Sequence, residues 1–146
     1  MSSKWKYFLP GYIWALPVTI VGVLIALVWY RCHSWRISDG CIECVVSRGA
    51  PRKVWWAGQC WGNLVMYGLE SDRQHSSIRI HERVHTVQVF IGGVFMPLAY
   101  AAMYLYDRIR LPNWRSAYRS NPFEAMAYDR DEPAPGKWGY LEAPTE

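Results

Sequence analysis

The residues best suited to chemistry are His81, Glu82 and His85, which form the pattern His-Glu-x-x-His. On a helix, residues four apart lie on one face, so both histidines can aim a ring nitrogen at one ion. Zinc is the ion that such a pair ordinarily holds, at about 2.0–2.1 Å from each nitrogen. Glu82 lies off that line and is free to take a proton from a zinc-bound water. We therefore predict a zinc site with Glu82 as general base.

The alternative to a metal site is a surface helix that happens to carry two histidines and a glutamate. The chain has four histidines and seven glutamates among its 146 residues. Random placement of these residues would produce the motif about 0.005 times per chain. Half of all the histidines fall in this one motif, which favours the zinc interpretation.

The motif helix is predicted over residues 78–91, with Ser76 or Ser77 as N-cap and an end at Gly92-Gly93. Its apolar residues recur at helical spacing and predict a stripe that faces the core. The members of this stripe are Ile80, Val84, Val87 and Ile91. Gln88 shares the neighbouring stripe with the two histidines. There it is either a polar rim residue or a residue that orients a ligand histidine by a hydrogen bond.

The motif and a later segment together resemble a class of enzymes. Residues 81–88 read HERVHTVQ, and residues 121–128 read NPFEAMAY. This pair resembles the compact gluzincin-type zincin metallopeptidases, and within them small membrane-anchored bacterial proteins. The resemblance covers residues 54–131. The G-x-x-H extension of the metzincins is absent, and no histidine follows His85.

The resemblance implies hydrolysis of peptide bonds and a third zinc ligand supplied by a glutamate on a later helix. It also implies a strand before the motif helix that pairs with an extended substrate. Residues 60–67 are placed to form that edge strand. An oxyanion helper is not assigned: Tyr128, Tyr118 and His75 are candidates, and each also fits a packing or loop role.

Glu124 is the preferred third ligand. A catalytic zinc usually has three protein ligands and a water, so two histidines leave it one short. Glu124 lies in the first turn of a helix that Pro122 should begin and that apolar neighbours should bury. Asp129 and Asp131 are the alternatives. Asn121 followed three residues later by a glutamate also matches a capping box, in which Glu124 would only satisfy backbone donors.

The N-terminal segment predicts an uncleaved membrane helix. Residues 12–30 are 19 residues without a charged side chain, close to the length that crosses a hydrocarbon core of about 30 Å. Trp14 and Trp29 lie near its ends, as in an aromatic belt. A cleaved signal peptide and a buried soluble helix are the alternatives. The flanking positive charge is balanced, so the orientation stays open.

The predicted fold class is α+β, with a transmembrane helix followed by a minimal zincin-like domain of a small sheet, the motif helix and two further helices. The predicted division is an anchor at 1–31, this domain at 32–132 and a flexible acidic tail at 133–146. Within the domain, residues 31–50 form a mixed stretch, strands lie near 53–57 and 60–67 with a break at Gly58, and 68–74 is a loop. Further helices are predicted over 97–110 and from Pro122 to before Pro133.

A second stretch, residues 86–106, also lacks charge. Gly92-Gly93 divides it and each half is short for a bilayer, so we predict a helix pair that packs on or dips into the membrane surface. The pair Cys41-x-x-Cys44 is interpreted as structural, with half a zinc knuckle, a redox pair and a disulfide as alternatives.

The function predicted from these features is a membrane-associated zinc metallopeptidase. Its expected partners are a peptide or protein substrate and membrane lipid, and its expected location is the bacterial inner membrane. The net charge of +4 is scattered along the chain, so no nucleic-acid partner is predicted. The alternatives are a non-catalytic zinc-binding membrane scaffold on a zincin fold, and an intramembrane protease whose motif helix spans the bilayer. The oligomeric state is left open.

Overall fold

The computed structural model describes residues 9–47, 54 and 56–131. The α+β class is confirmed over these residues, which form six α-helices, one π-helical segment and a four-stranded sheet. The chain order is α1 (Leu9–Leu24), the π-helical segment Ile25–Trp29, β1 (His33–Ser38), β2 (Cys41–Val45), β3 (Gly58–Trp61), β4 (Leu64–Tyr67), α2 (Glu70–Gln74), α3 (Ser76–Gly92), α4 (Phe95–Arg110), α5 (Trp114–Ser120) and α6 (Pro122–Asp131). The predicted acidic tail lies outside the described residues.

The sheet has the strand order β1-β2-β4-β3, so β4 is internal and β3 lies at an edge. β2 and β4 run parallel, and the other two pairs are antiparallel. The internal position explains why all four residues of β4 are buried. Because β2 pairs in parallel with β4, the sheet is not a series of consecutive hairpins.

Two strand predictions were wrong. Residues 60–67 are not one strand, because Gly62, with φ of 66°, turns the chain and separates β3 from β4. The strand predicted near 53–57 is not present in its described residues 54, 56 and 57, while residues 53 and 55 lie outside the described part. Gly58, predicted as the break, begins β3. The mixed stretch at 31–50 contains the β1–β2 hairpin, which was not predicted.

The segment predicted as a polar loop, 68–74, contains the short helix α2. Its first turn is stabilised because the Leu69 N–H donates to Asp72 Oδ2 at 2.9 Å. Its last turn is tied to β1 because the Arg73 guanidinium donates to Ser34 Oγ at 2.9 Å. A cap at the start of α2 and a tertiary hydrogen bond near its end therefore hold this segment as a helix. Polar composition alone does not distinguish such a helix from a loop.

Helix α3 ends at Gly92 as predicted, and Gly93 follows with φ of 55°. Its N-cap is His75, whose backbone is extended, and not Ser76 or Ser77, which are already helical. The predicted core stripe was wrong: Ile80 is 40% exposed and Ile91 is 76% exposed. The buried residues of α3, on the side where α6, β3 and α1 pack, are instead His81, Glu82, His85, Thr86, Gln88, Val89 and Phe90.

Helix α4 begins two residues before the predicted start and bends away from α3 by 115°. Pro97 falls in its first turn, where its missing N–H costs no hydrogen bond. Helix α5 was not predicted, and it begins where the Asn113 side chain accepts the Ser116 N–H at 2.8 Å. Helix α6 begins at Pro122 as predicted.

Helix α1 and its π-helical continuation include a 20-residue stretch, Pro10–Trp29, that is long and apolar enough to cross a membrane. A signal sequence near an N-terminus meets the same criterion. Small residues on one face let the rest of the protein approach closely: Gly11 meets Phe90, and Gly22 meets Trp61. The division of the chain at residue 31 stays a prediction, yet α1 packs directly against α3, β3 and β4.

We expect Gly22→Ala to destabilise the protein, although replacing glycine by alanine inside a helix ordinarily stabilises it. A Cβ at Gly22 would lie 2.3 Å from the Cβ of Trp61, so one of the two backbones must shift. Overpacking of this kind costs about 1–3 kcal/mol, which thermal unfolding in detergent measures as a lower Tm. Leu24→Ala is the control, because Leu24 is 56% exposed. An unchanged Tm for Gly22→Ala would mean that α1 does not pack here.

Candidate metal centre

Three buried side chains meet between α3 and α6. His81 and His85 lie one turn apart on α3, and Glu124 lies in the first turn of α6. The two Nε2 atoms of the histidines are 3.2 Å apart. Glu124 Oε2 lies 3.2 Å from His81 Nε2, and Glu124 Oε1 lies 3.3 Å from His85 Nε2. The three residues are 8%, 8% and 2% exposed, so the contact is inside the protein.

The separations of these atoms suit a tetrahedral ion. With bonds of about 2.0–2.1 Å, neighbouring ligand atoms of a tetrahedral zinc are about 3.3 Å apart. Each of the three observed separations, 3.2, 3.2 and 3.3 Å, is close to this value, with His81 and His85 facing different oxygens of Glu124. The group His81, His85 and Glu124 can therefore hold a metal ion.

The protonation states follow from the same contacts. Burial by itself would raise the pKa of Glu124, but hydrogen bonds and charge from His81 and His85 outweigh it and hold the pKa well below its usual range. Burial would lower the pKa of His85, yet Glu124 raises it above the usual value. Glu124 is thus ionised, as a ligand must be, whereas a proton on His85 competes with a metal.

Gln88 fixes the orientation of one ligand. Its amide nitrogen donates to the Phe123 carbonyl at 2.9 Å, which leaves its oxygen facing His85 Nδ1 at 2.8 Å. His85 Nδ1 therefore donates to Gln88, and His85 Nε2 keeps its lone pair for a metal. Of the two interpretations of Gln88, this geometry supports the orienting one.

Tyr100 was missed by the sequence analysis. Its hydroxyl donates to Glu124 Oε1 at 2.7 Å, and its carbonyl accepts from Asn121 Nδ2 at 3.1 Å. Burial raises the pKa of Tyr100, and the charge of Glu124 raises it further, so the hydroxyl stays a donor. Tyr100 belongs to the uncharged stretch 86–106, where it carried no signal that set it apart from apolar residues.

The capping-box alternative for Glu124 does not match the structure. The Asn121 side chain accepts the Phe123 N–H at 3.1 Å, so Asn121 does cap α6. The Asn121 N–H donates to the Tyr118 carbonyl at 3.2 Å, and Glu124 turns to the histidines instead. Asp129 is exposed, and the side chain of Asp131 lies outside the described part.

A cleft of about 340 Å³ adjoins two of the three candidate ligands, His85 and Glu124. Glu82, His85 and Glu124 line it, together with residues of β3 and with Val18 of α1. Glu82 lies directly over the start of β3, because a Cβ at Gly58 would come within 2.4 Å of Glu82 Oε1. The general-base candidate therefore shares the cleft with two of the three ligands.

The three oxyanion candidates lie in different places. Tyr118 lines the cleft, and burial raises its pKa, so it keeps its proton. Tyr128 packs its ring on His81, with the ring centroids 4.6 Å apart. His75 caps the start of α3. Of the three, Tyr118 is the one placed to reach a group bound in the cleft.

Cys41 and Cys44 do not form a site with one another. They are three positions apart on β2, so their side chains point to opposite faces of the sheet. Cys44 packs with Cys32 in an apolar cluster, and Cys41 Sγ lies 3.9 Å from Thr86 Oγ1. All four cysteines are free. The zinc-knuckle, redox-pair and disulfide alternatives for Cys41-x-x-Cys44 do not fit this geometry, and the structural interpretation does.

Comparison of the chain with protein-family models, with curated proteins and with solved structures finds no match. The resemblance to gluzincins therefore stays a prediction from the two sequence segments 81–88 and 121–128.

We expect Glu124→Ala to lower zinc affinity by orders of magnitude, because the ion loses its only carboxylate ligand in the group. Asp129→Ala is the matched control, since Asp129 is an exposed acid on the same helix. Competition with a chromophoric chelator measures both affinities. Unchanged zinc binding in the Glu124 variant would remove this residue from the centre.

Gln88→Met should weaken zinc binding by about 10- to 100-fold, because His85 then loses the acceptor that fixes its ring orientation. Gln74→Met, at an exposed position of α2, should leave the affinity unchanged. The same chelator titration reads out both variants, with circular dichroism as a check on folding. Equal zinc affinity in the two variants would mean that Gln88 is only a polar residue at the rim of the site.

Proposed function

We propose that this protein is a membrane-associated zinc metallopeptidase with a minimal zincin-like core. Zinc would be held by His81, His85 and Glu124, with Glu82 as general base. The observation that carries the proposal is the buried group of His81, His85 and Glu124, whose ligand atoms lie within 4.8 Å of one another, beside a cleft that Glu82 also lines. Two histidines and one carboxylate are a donor set of catalytic zinc, which keeps a fourth position for water.

Bound zinc would supply a Lewis acid that lowers the pKa of its water toward about 7. Glu82 follows His81 on α3 and lines the cleft. It is not one of the three residues that could hold the ion. It would accept the proton of the attacking water and later give it to the nitrogen of the leaving amine. Tyr118, which keeps its proton, would donate a hydrogen bond to the oxygen of the tetrahedral intermediate.

Strand β3 would receive the substrate. It pairs with β4 along one edge, and its residues Gly58–Trp61 line the cleft beside Glu82. A polypeptide added along the other edge would run past the ligands in extended form, with main-chain hydrogen bonds for affinity. The proposed substrate strand is thus β3 alone, and not the whole segment 60–67 that the resemblance suggested.

Ion pairs on α3 argue against the alternative in which this helix spans the bilayer. The guanidinium of Arg83 lies 2.9 Å from Glu43 Oε1, and that of Arg79 lies 3.5 Å from the same oxygen. Both tie the first half of α3 to the β1–β2 hairpin, whose Asp39 is exposed. A segment bound to exposed charged residues in this way is not placed in hydrocarbon.

Replacing Glu82 by glutamine tests the proposal. Glutamine keeps the shape of the side chain but cannot take the proton of water, so we expect bound zinc to stay and hydrolysis to fall about 10²- to 10⁴-fold. The assay uses full-length protein in detergent, a broad peptide library and elemental analysis of zinc. Glu70→Gln is the control, at an exposed position of α2.

Full hydrolysis by the Glu82→Gln variant would contradict the mechanism. A wild type that binds zinc and cleaves no peptide of the library would instead favour the non-catalytic scaffold.

A further inference from the structure

We infer that the metal centre operates against the surface of a lipid bilayer, with α1 lying in the plane of one leaflet as a wall of the cleft. The substrate is then a polypeptide segment held at that leaflet. The substrate part rests on the proposed peptidase function, whereas the placement of α1 stands on the packing of the protein alone.

Helix α1 and its π-helical continuation have two distinct faces. The face packed on the protein carries small or buried residues, which are Gly11, Ala15, Val18, Thr19, Gly22 and Ala26. The opposite face carries large apolar residues that are 48–73% exposed, namely Ile13, Leu16, Ile20, Val21, Leu24, Leu27 and Val28. One face of the helix is therefore occupied by the protein over its whole length, and the other is left without cover in the described part of the chain.

The corner between α3 and α4 continues this exposed face. Ile91, Phe95 and Leu98 are 76%, 63% and 66% exposed. The ring of Trp14 on α1 lies 6.3 Å from that of Phe95, and the indole fills the space beside Gly93. We call the exposed residues of α1 and of this corner, Ile91–Leu98, the apolar surface. Neither 9–30 nor 84–106 contains Asp, Glu, Lys or Arg, so no charge within these two segments interrupts the surface.

A surface of this length and composition fits lipid better than a protein partner. Its α1 portion alone is long and apolar enough to cross a membrane, and contiguous exposed apolar patches mark membrane or partner sites. Helices that lie in the plane of a membrane bury one apolar face to about 5–10 Å and keep the other face out of the hydrocarbon.

The packing favours an in-plane position over a crossing one. The turn between β3 and β4 lies against the middle of α1, where the Asn63 N–H donates to Thr19 Oγ1 at 2.9 Å. The π-helical end packs on the sheet through Ala26. If α1 crossed the bilayer, the sheet beside it and its edge strands would lie at hydrocarbon depth, where unpaired strand edges are not tolerated. With α1 in the plane, the sheet stays in water.

Residues from both elements that carry the apolar surface line the cleft. Val18 of α1 forms one wall, and Met96 and Pro97 of α4 form another. Phe95 and Leu98, which flank those two residues in α4, are exposed on the apolar surface. A segment that reaches β3 through this cleft passes the boundary of the leaflet. Its chemistry is therefore that of an apolar polypeptide anchored in the same membrane.

The placement is tested on full-length protein in sealed phosphatidylethanolamine–phosphatidylglycerol vesicles. Tags at both ends should lie on the same side of the membrane, so external protease removes both or neither. A phospholipid with a photoreactive acyl chain should label residues 13–28 and 91–98, and spare β1 and β2. Tags on opposite sides would show that α1 crosses the bilayer. Labelling of α1 without labelling of 91–98 would likewise overturn the placement.

The substrate class is tested in the same vesicles with a cleavable sequence joined to a membrane anchor by spacers of increasing length. A centre at the leaflet should cleave best with the shortest spacers and at least about 10-fold less with long ones. A centre held away from the bilayer would show the opposite trend and overturn the inference. If no anchored or soluble peptide is cleaved while zinc is bound, the peptidase proposal fails, and the tags and label still decide the placement.

A matched pair of variants tests the wall of the cleft. Val18→Trp should fill the opening and abolish cleavage of the anchored peptide with zinc retained, because Val18 lines the cleft. Ile37→Trp places the same residue at an exposed position of β1, outside the cleft and the apolar surface, and should leave cleavage unchanged. Equal cleavage by the two variants would mean that α1 is not a wall of the path to the metal.

Discussion

The contact of Glu124 with His81 and His85 is the constraint on which the rest of the domain depends. A carboxylate that is 2% exposed would be strongly destabilising without a compensating charge. The two histidines supply it from α3, and Tyr100 donates a third contact from α4. Three helices are therefore fixed against one another by a single side chain, and a metal at this point would stabilise their arrangement further.

This constraint explains why α3 buries its polar face. Helix α3 buries Val89 and Phe90 near its end, but it exposes Ile80 and Ile91, so apolar burial accounts for only part of its packing. Satisfied polar contacts hold the rest, such as the link from His85 through Gln88 to the Phe123 carbonyl. On the other flank, Arg83 pairs with the fully buried Glu43. Polar networks of this kind specify one arrangement because each buried group needs its partner.

Helix α1 packs against α3, β3 and β4. The small residues of its inner face let β3 and α3 approach closely, as in helix pairs within membranes. Its large residues are left on the outside with those of the α3–α4 corner. The same helix thus serves as a structural wall of the cleft and as the apolar surface that we assign to the bilayer. In this arrangement, attachment to the membrane and access to the site are a single feature.

The sequence by itself determined the features that depend on local spacing. These are the histidine pair on α3, the apolar α1, the C-terminal end of α3 and the start of α6, to which the resemblance added Glu124 as the candidate third ligand. The sequence could not determine which face of α3 is buried, because apolar periodicity assumes a dry core and here α6 covers the polar face. Nor could it show the parallel pairing of β2 with β4, the contact of Tyr100 with Glu124, or the closure of the cleft by α1. Each of these joins residues distant in the chain, and only the tertiary structure decides which of them meet.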